Sequence, residues 1–229
     1  MTESIGGPQQ PAGKASSGGG NLEESRQYID QLRGREPQEA IPKLVAELGN
    51  ESWYLRERAG EALASFGRAA APATERVLTS GLWYTRAAAL RVLGAVAAPS
   101  SLVPVIDFLS DRNRAIGEEA ARSLLGYCRE GRAVAAAKIL HGRGARVRDA
   151  ALMLLQRAHP DETQRLQRLM QASLMGPEGS LSRAEEQRLA EEVEDSSWQV
   201  VWERLDRSVP LPEWEGNLVR FLRGAPGES

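Results

Sequence analysis

The feature that most constrains the fold of this chain is an internal repeat of about 30 residues. Each copy has a charged residue, an alanine three positions later and a leucine four positions after that, a spacing that places all three on one helix face. The copies are Arg56, Ala59 and Leu63; Arg86, Ala89 and Leu93; Glu118, Ala121 and Leu125; and Arg148, Ala151 and Leu155. A leucine upstream of these residues recurs with nearly the same period, at Leu48, Leu78, Leu109 and Leu140. A repeat of this period predicts stacked supersecondary units with a shared core.

Each copy has the sequence of a helical hairpin. In the first copy, Ile41, Leu44 and Leu48 fall on one face of a first helix. A turn of glycine or polar residues follows, and the second helix then begins close to the charged residue of the repeat. These turns lie at 49–50, 80–81, 111–113 and 142–144. The small alanine allows close helix approach and the leucine fills the layer between neighbours, so we predict an all-α fold.

Composition supports helices and excludes several classes of protein. Alanine, leucine, arginine and glutamate dominate, and only 5% of the residues are aromatic, which argues against an all-β fold. No segment approaches the roughly 18 consecutive apolar residues of a membrane span. Residues 1–20 also lack the apolar stretch of a secretion signal. We therefore expect a cytoplasmic protein with no membrane partner, and the abundant arginine and alanine suggest a bacterial source.

One second-helix sequence carries a family resemblance. The run from Leu82 to Gly94 resembles the second helix of a HEAT repeat, of the short type found in proteins related to phycobilin lyases. The resemblance covers residues 38–170 and implies a right-handed α-α superhelix, or α-solenoid, of about four hairpins. It also implies a binding surface on the concave face, which the second helices line. The copies depart from the family pattern at Glu118, where the family favours arginine.

We expect the chain to divide into three segments. Residues 1–20 contain six glycines and almost no large apolar side chain, which predicts a disordered leader because such a stretch cannot offset the entropy of ordering. Residues 21–170 form the repeat domain, with an N-terminal capping helix. Residues 171–229 form an acidic helical segment that contains three of the five tryptophans.

The acidic C-terminal segment does not continue the repeat. Ser182 followed by Glu185, and Ser196 followed by Gln199, are capping boxes that predict two helix starts. One interpretation is a helical cap on the end of the solenoid, since a terminal repeat must cover its exposed face. The other is a separate element that binds a partner or docks on the protein itself.

Charge is distributed unevenly along the chain. Residues 129–170 carry nine basic and four acidic residues, whereas residues 171–229 carry six basic and twelve acidic ones. Opposite charges attract within a Debye length of about 8–10 Å. We therefore consider that the acidic residues between Glu185 and Asp195 dock on the basic fourth copy and compete with a partner there.

Two groups of residues are candidates for partner binding. Equivalent positions in adjacent hairpins lie some 8–10 Å apart, so one group should form a short ridge of the aromatic and arginine side chains typical of binding hot spots. That group is Trp53, Tyr54, Arg56, Trp83, Tyr84 and Arg86. The second group is Arg143, Arg146 and Arg148, at a turn and helix start that favour anions. The alternative for the aromatic residues is packing between hairpins.

Nothing in the sequence points to catalysis, a cofactor or a metal. Cys128 is the only cysteine in the sequence. The HEAT-like metal hydroxylases use paired His-Glu motifs, whereas neither His141 nor His159 precedes a glutamate. Cys128 is expected to be a buried apolar residue. The sequence therefore predicts a non-catalytic scaffold or adaptor that binds a peptide or helix of a protein partner on its concave face. The alternative is a nucleic-acid-binding protein related to the HEAT-like base-excision enzymes, although the pI of 5.9 lies well below that typical of nucleic-acid binders.

Overall fold

The computed structural model describes residues 18–171 and 181–192, and within these ranges every regular element is a helix. The α-helices are α1 (Gly18–Leu32), α2 (Pro37–Glu47), α3 (Trp53–Ser65), α4 (Ala71–Val77), α5 (Trp83–Val96), α6 (Leu102–Asp107), α7 (Arg114–Tyr127), α8 (Ala133–Gly142), α9 (Ala145–Ala158), α10 (Pro160–Gln171) and α11 (Arg183–Glu192). Shorter 3-10 turns span Gly67–Ala70, Pro99–Ser101 and Phe108–Ser110, and a π-helical turn spans Cys128–Arg132. The all-α prediction is confirmed for this part of the chain.

The four copies of the repeat correspond to four helix pairs. The first helices are α2, α4, α6 and α8, and the second helices are α3, α5, α7 and α9. The recurring leucines lie at or just after the ends of the first helices, and all four are buried. The predicted leader overlaps α1, which begins at Gly18 rather than near Asn21. Residues 1–17 lie outside the described part of the chain.

All the second helices, and most of the first helices, pack on the equivalent helix of a neighbouring copy. Along the second helices, α3 packs on α5, α5 on α7 and α7 on α9, and α1 extends this row by packing on α3. Along the first helices, α2 packs on α4 and α6 packs on α8. Helix α10 then packs against both α8 and α9. A single hydrophobic core runs between the two rows.

The closest helix approach is between α5 and α7, and two glycines permit it. A Cβ atom on Gly126 would lie 2.3 Å from the carbonyl oxygen of Gly94. A Cβ atom on Gly94 would lie 2.6 Å from the Cα atom of Ser123. The Ser123 hydroxyl lies within hydrogen-bonding distance of the backbone oxygens of Leu90 (2.7 Å) and Glu119 (2.8 Å) and can donate its single hydrogen to either one. The third helix pair is therefore fixed against the second by backbone contact.

Helix α11 is the described part of the acidic C-terminal segment, and it begins with the predicted capping box. The Ser182 backbone N–H donates to Glu185 Oε2 (2.8 Å), and the Glu185 backbone N–H donates to Ser182 Oγ (3.3 Å). The helix packs on α6, on α8 and on the turn Pro99–Ser101. It therefore lies along the side of the first-helix row. The predicted second capping box, Ser196 and Gln199, lies outside the described residues.

None of the described helices is both long enough and apolar enough to cross a lipid bilayer.

Candidate functional site

The aromatic residues predicted to form a ridge lie at the starts of two adjacent second helices. Trp53 and Trp83 occupy the first positions of α3 and α5, and their exposed fractions are 63% and 50%. Tyr54 is also exposed, and Tyr84 is half-buried. We call these four side chains the aromatic ridge. They protrude because the buried positions of this first turn are taken by Leu55 and by the equivalent Thr85.

Arg56 joins the first two copies at the ridge. Its Nη1 atom donates hydrogen bonds to the carbonyl oxygens of Asn50 (2.7 Å) and Glu51 (2.9 Å), in the turn that precedes α3. Its guanidinium carbon lies 4.7 Å from the centre of the Tyr84 ring in the next copy, a cation–π contact. The Tyr84 ring in turn meets the ring of Trp83 edge to face at 6.0 Å. Arg56 therefore holds the ridge in place.

Arg86 makes the corresponding connection to the third copy through a carboxylate. Its Nη1 atom lies 3.2 Å from Asp111 Oδ2, in the turn that precedes α7, and both side chains are largely buried. The same Asp111 carboxylate also accepts a hydrogen bond from the Asn113 backbone N–H (2.7 Å). Arg56 and Arg86 were both predicted to contact a partner, but their described contacts are with atoms of the protein itself.

Ion pairs cross the second helices next to the ridge. Arg91 on α5 pairs with Glu57 on α3 and with Glu119 on α7. Glu119 is buried and also pairs with Arg122 at 2.8 Å. Trp53 and these residues line a groove of about 620 Å³ that runs across α3, α5 and α7. Most of the charge in this groove is neutralised within the protein.

The predicted basic group of the fourth copy does not form one open anion site. Arg143 is only 17% exposed, and its guanidinium binds Glu186 on α11 through two hydrogen bonds (2.5 and 2.6 Å). It also pairs with Asp107 on α6 (2.5 Å). Arg148 pairs with Asp149 (3.0 Å). Arg146 is exposed.

A second groove, which the sequence did not predict, lies between α7 and α9. Met153 borders it and is the most exposed of the large apolar side chains in the described part of the chain, at 64%. Arg112, Arg114 and Arg157 stand around it. The signal that could have found this groove is Met153 itself, since its neighbours Leu152 and Leu154 take the inward positions of α9.

The described residues contain no group of three histidine, cysteine, aspartate or glutamate side chains that could hold a metal ion. Cys128 is buried as predicted. Burial, and to a smaller extent the nearby Glu162 carboxylate, raise the pKa of Cys128 to about 12, so this thiol is a poor nucleophile at neutral pH. The Nδ1 atom of His159 lies 3.5 Å from Oε2 of Glu162.

No protein-family model matches the sequence, and neither a curated protein nor a solved structure matches it.

Proposed function

We propose that this protein is an α-solenoid of about four HEAT-like hairpins that binds a protein partner through its second-helix face and acts as a non-catalytic scaffold or adaptor. The order of helix contacts supports the arrangement, because each second helix packs on the next one and each hairpin meets its neighbours through equivalent helices. Stacked pairs of this kind leave one row of helices as an extended surface.

The observation that carries the proposal is the exposure of the aromatic ridge. Trp53 and Trp83 lie on adjacent helices, and Leu82, which is also exposed, lies beside Trp83. Soluble proteins seldom expose clustered large apolar side chains unless the cluster is an interaction site. Tryptophan and tyrosine are also enriched among the residues that dominate binding energy. The ridge is therefore the surface that we expect a partner to cover.

The grooves beside the ridge suit an extended segment or a helix of the partner. One of them lies between α3 and α5, where small side chains such as Ala64, Ala88 and Ala95 form the surface. Arg56 and Arg91 lie at this groove. Because Arg56 is bonded to the turn before α3 and to the Tyr84 ring, the ridge is preorganised, which lowers the entropic cost of binding.

The nucleic-acid alternative has less support. Binding to a phosphate backbone depends on arginine and lysine side chains that can neutralise phosphates. Several arginines on or next to the second helices instead pair with carboxylates. Arg58 pairs with Asp30 and Arg91 with Glu119, and Arg129 in the turn after α7 pairs with Glu162. Filter-binding titrations with DNA and RNA at two salt concentrations test this alternative, and salt-sensitive binding would favour it.

The proposal can be tested by comparing two double variants of the full chain. Trp53→Ala with Trp83→Ala removes the ridge, whereas Leu22→Ala with Tyr28→Ala removes two exposed apolar side chains elsewhere, both on α1. Affinity capture with quantitative mass spectrometry identifies the proteins that the parent chain binds, and titration calorimetry then measures one purified partner. We expect the ridge variant to lose at least roughly tenfold in affinity, which is typical of hot-spot truncation.

Photo-cross-linking provides a second readout on the same surface. A benzoylphenylalanine residue at position 83 should cross-link to the captured partner, whereas the same residue at the exposed Pro72 position of α4 should not. Equal recovery of partners by the two double variants, or equal cross-linking at both positions, would contradict the proposal. The substitutions Arg56→Glu and Arg86→Glu are less suitable, because they would also break the contacts that hold the turns.

A further inference from the structure

The groove between α7 and α9 has an apolar floor. Gly117 lies at its base, where a Cβ atom would be 3.4 Å from Leu154 Cδ1 and 3.6 Å from the carbonyl oxygen of Leu109. Leu109 and Leu154 line the base as well, and Met153 forms an exposed wall. The groove has a volume of about 330 Å³, at the low end of the roughly 300–1,000 Å³ typical of ligand pockets. This space suits a large apolar side chain of a peptide.

The rim of the groove carries more positive than negative charge, although Glu118 interacts electrostatically with Arg157 as well as with Arg114. Three arginines line it, and only one of them has a carboxylate partner, since Arg114 Nε lies 2.8 Å from Glu118 Oε1. In the described part of the chain, no carboxylate lies within ion-pairing distance of Arg112 or Arg157. Asp111 also lines the groove, but it is engaged with Arg86. Two exposed guanidinium groups are therefore available to a ligand.

We infer that this groove binds an acidic peptide in which aspartate or glutamate residues flank a leucine, methionine or phenylalanine. The apolar side chain enters over Gly117, and the carboxylates pair with Arg112 and Arg157. Arginine favours carboxylates because its planar fork can donate two parallel hydrogen bonds to one of them. A phosphate backbone would satisfy the arginines but would leave Met153 exposed and the apolar floor unfilled.

The groove lies one hairpin away from the aromatic ridge along the second-helix face. Arg86 connects the two, since it follows Trp83 by one helical turn and pairs with Asp111 at the edge of the groove. A single partner can therefore contact both surfaces. This inference rests on the proposed function, because it names the chemistry of the protein segment that the face would bind.

Selection of a random heptapeptide library on phage against the full chain tests the inference without a known partner. We expect enriched peptides to contain acidic residues on both sides of an apolar one. Their affinities can then be measured by fluorescence anisotropy with synthetic labelled peptides. The groove variant is Arg112→Glu with Arg157→Glu, and the matched control is Arg76→Glu with Arg165→Glu, which makes the same charge change at exposed positions on α4 and α10.

The groove variant should weaken peptide binding at least roughly tenfold, whereas the control should stay within about twofold of the parent chain. Met153→Asp offers a second test at an exposed position, since it places a negative charge beside the incoming carboxylates. Circular dichroism melts verify that all variants are folded. Added salt should weaken binding to the parent chain, because the contacts are charged and solvent-accessible.

Three results would overturn the inference. They are enrichment of peptides that lack acidic residues, equal binding of acidic peptides by the groove variant and the control, and failure to enrich any acidic peptide. If the selected peptides depend on Trp53 and Trp83 but not on Arg112 and Arg157, the groove is excluded while the proposed function stands. If partner capture and cross-linking do not depend on the ridge, by contrast, the proposed function itself is excluded.

Discussion

At the scale of single residues, glycine sets the distance between the two central second helices. Gly126 and Gly94 face each other so closely that the carbonyl oxygen of one occupies the space that a Cβ atom on the other would need. Glycine in a helix interior costs about 1 kcal/mol relative to alanine. The close packing of α5 on α7 compensates for this cost, because it brings Ser123 within hydrogen-bonding distance of the Leu90 carbonyl.

Substituting Gly126 by alanine should therefore destabilise the protein although alanine is the better helix former. The new methyl group would lie 2.3 Å from a backbone oxygen that has no freedom to rotate away, and overpacking of this kind costs about 1–3 kcal/mol or more. Gly81→Ala is the control, since its methyl group meets nothing within 4 Å. Urea unfolding measures both variants. A Gly126→Ala protein as stable as the parent would show that α5 and α7 are farther apart.

The buried Cys128 thiol predicts how the stability of the protein changes with pH. Because burial raises the pKa of Cys128 from 9.0 to about 12, the unfolded thiol ionises above pH 9 while the folded thiol stays protonated. The contribution of Cys128 to the free energy of unfolding is therefore fully present below pH 9 and is lost as the pH rises toward 12. Relative to Cys128→Ala, the parent chain should lose about 1 kcal/mol of unfolding free energy between pH 8 and pH 10.

Guanidinium unfolding at both pH values, on parent and variant, isolates the contribution of Cys128, because other groups that titrate in this range occur in both proteins. The native thiol should also react slowly with a thiol reagent at pH 8 and rapidly once urea is added. Fast modification of the folded protein would contradict the burial of this side chain.

At the scale of elements, α11 is a short helix that is held mainly by charge. It has ten residues, too few for an isolated helix to be stable in water. Its apolar contacts are made by Ala190, which is buried, and by Leu189, which packs against the core, and Leu181 just before the helix lies over Gly142. The main attachment is Arg143, which is bonded to Glu186 of α11 and to Asp107 of α6.

Arg143→Met should therefore detach α11 while the helix pairs remain folded. Loss of Arg143 leaves the buried Glu186 carboxylate with only the exposed Arg183 at 3.5 Å as a cationic partner, and breaking a largely buried ion pair is strongly destabilising. We expect amide exchange in α11 to accelerate by roughly tenfold or more. Arg183→Met is the control, because Arg183 is 55% exposed and its ion pairs with Asp107 (2.7 Å) and, at the longer distance of 3.5 Å, with Glu186 should contribute less than about 1 kcal/mol each. Equal exchange in both variants would show that α11 is held by its apolar contacts.

The same helix shows what the sequence could predict of the elements. Ser182 and Glu185 predicted where α11 begins, because a capping box is a local interaction. Its position on α6 and α8 depends on Arg143, more than 40 residues away in the chain. The charge distribution suggested that the acidic segment docks on the basic fourth copy, but it could not show that Glu186 and Arg143 are the residues that pair. The turn between α7 and α8 was unpredicted for a similar reason, since the positive φ of Gly131 (88°) follows from how the helices are connected.

At the scale of the whole molecule, the repeat predicted that the second helices pack in sequence, but it did not predict which groups the charged residues on them contact. The spacing of Trp53 and Trp83 placed the aromatic ridge correctly at the starts of α3 and α5. The roles of Arg56 and Arg86 were harder to predict, because identical residues at equivalent positions bind different groups, a turn carbonyl in one case and Asp111 in the other. The exposed guanidinium groups at the groove were missed since Arg112 and Arg157 are 45 positions apart.

The proposed solenoid makes a prediction that concerns all helices together. In a linear array each hairpin is stabilised only by its neighbours, so the ends open more readily than the middle. Helices α5 and α7 pack on each other and each has a further second helix on its other side, whereas α1 and α10 lie at the two ends of the described array. Native-state hydrogen exchange in low urea should therefore show the slowest amides in α5 and α7 and progressively faster exchange toward α1 and α10. The Gly126→Ala variant should remove most of the difference, because it weakens the central contact. Uniform protection from α1 to α10, with all helices opening in one step, would mean that the chain unfolds as a single cooperative globule and would count against the linear array on which the proposed binding face depends.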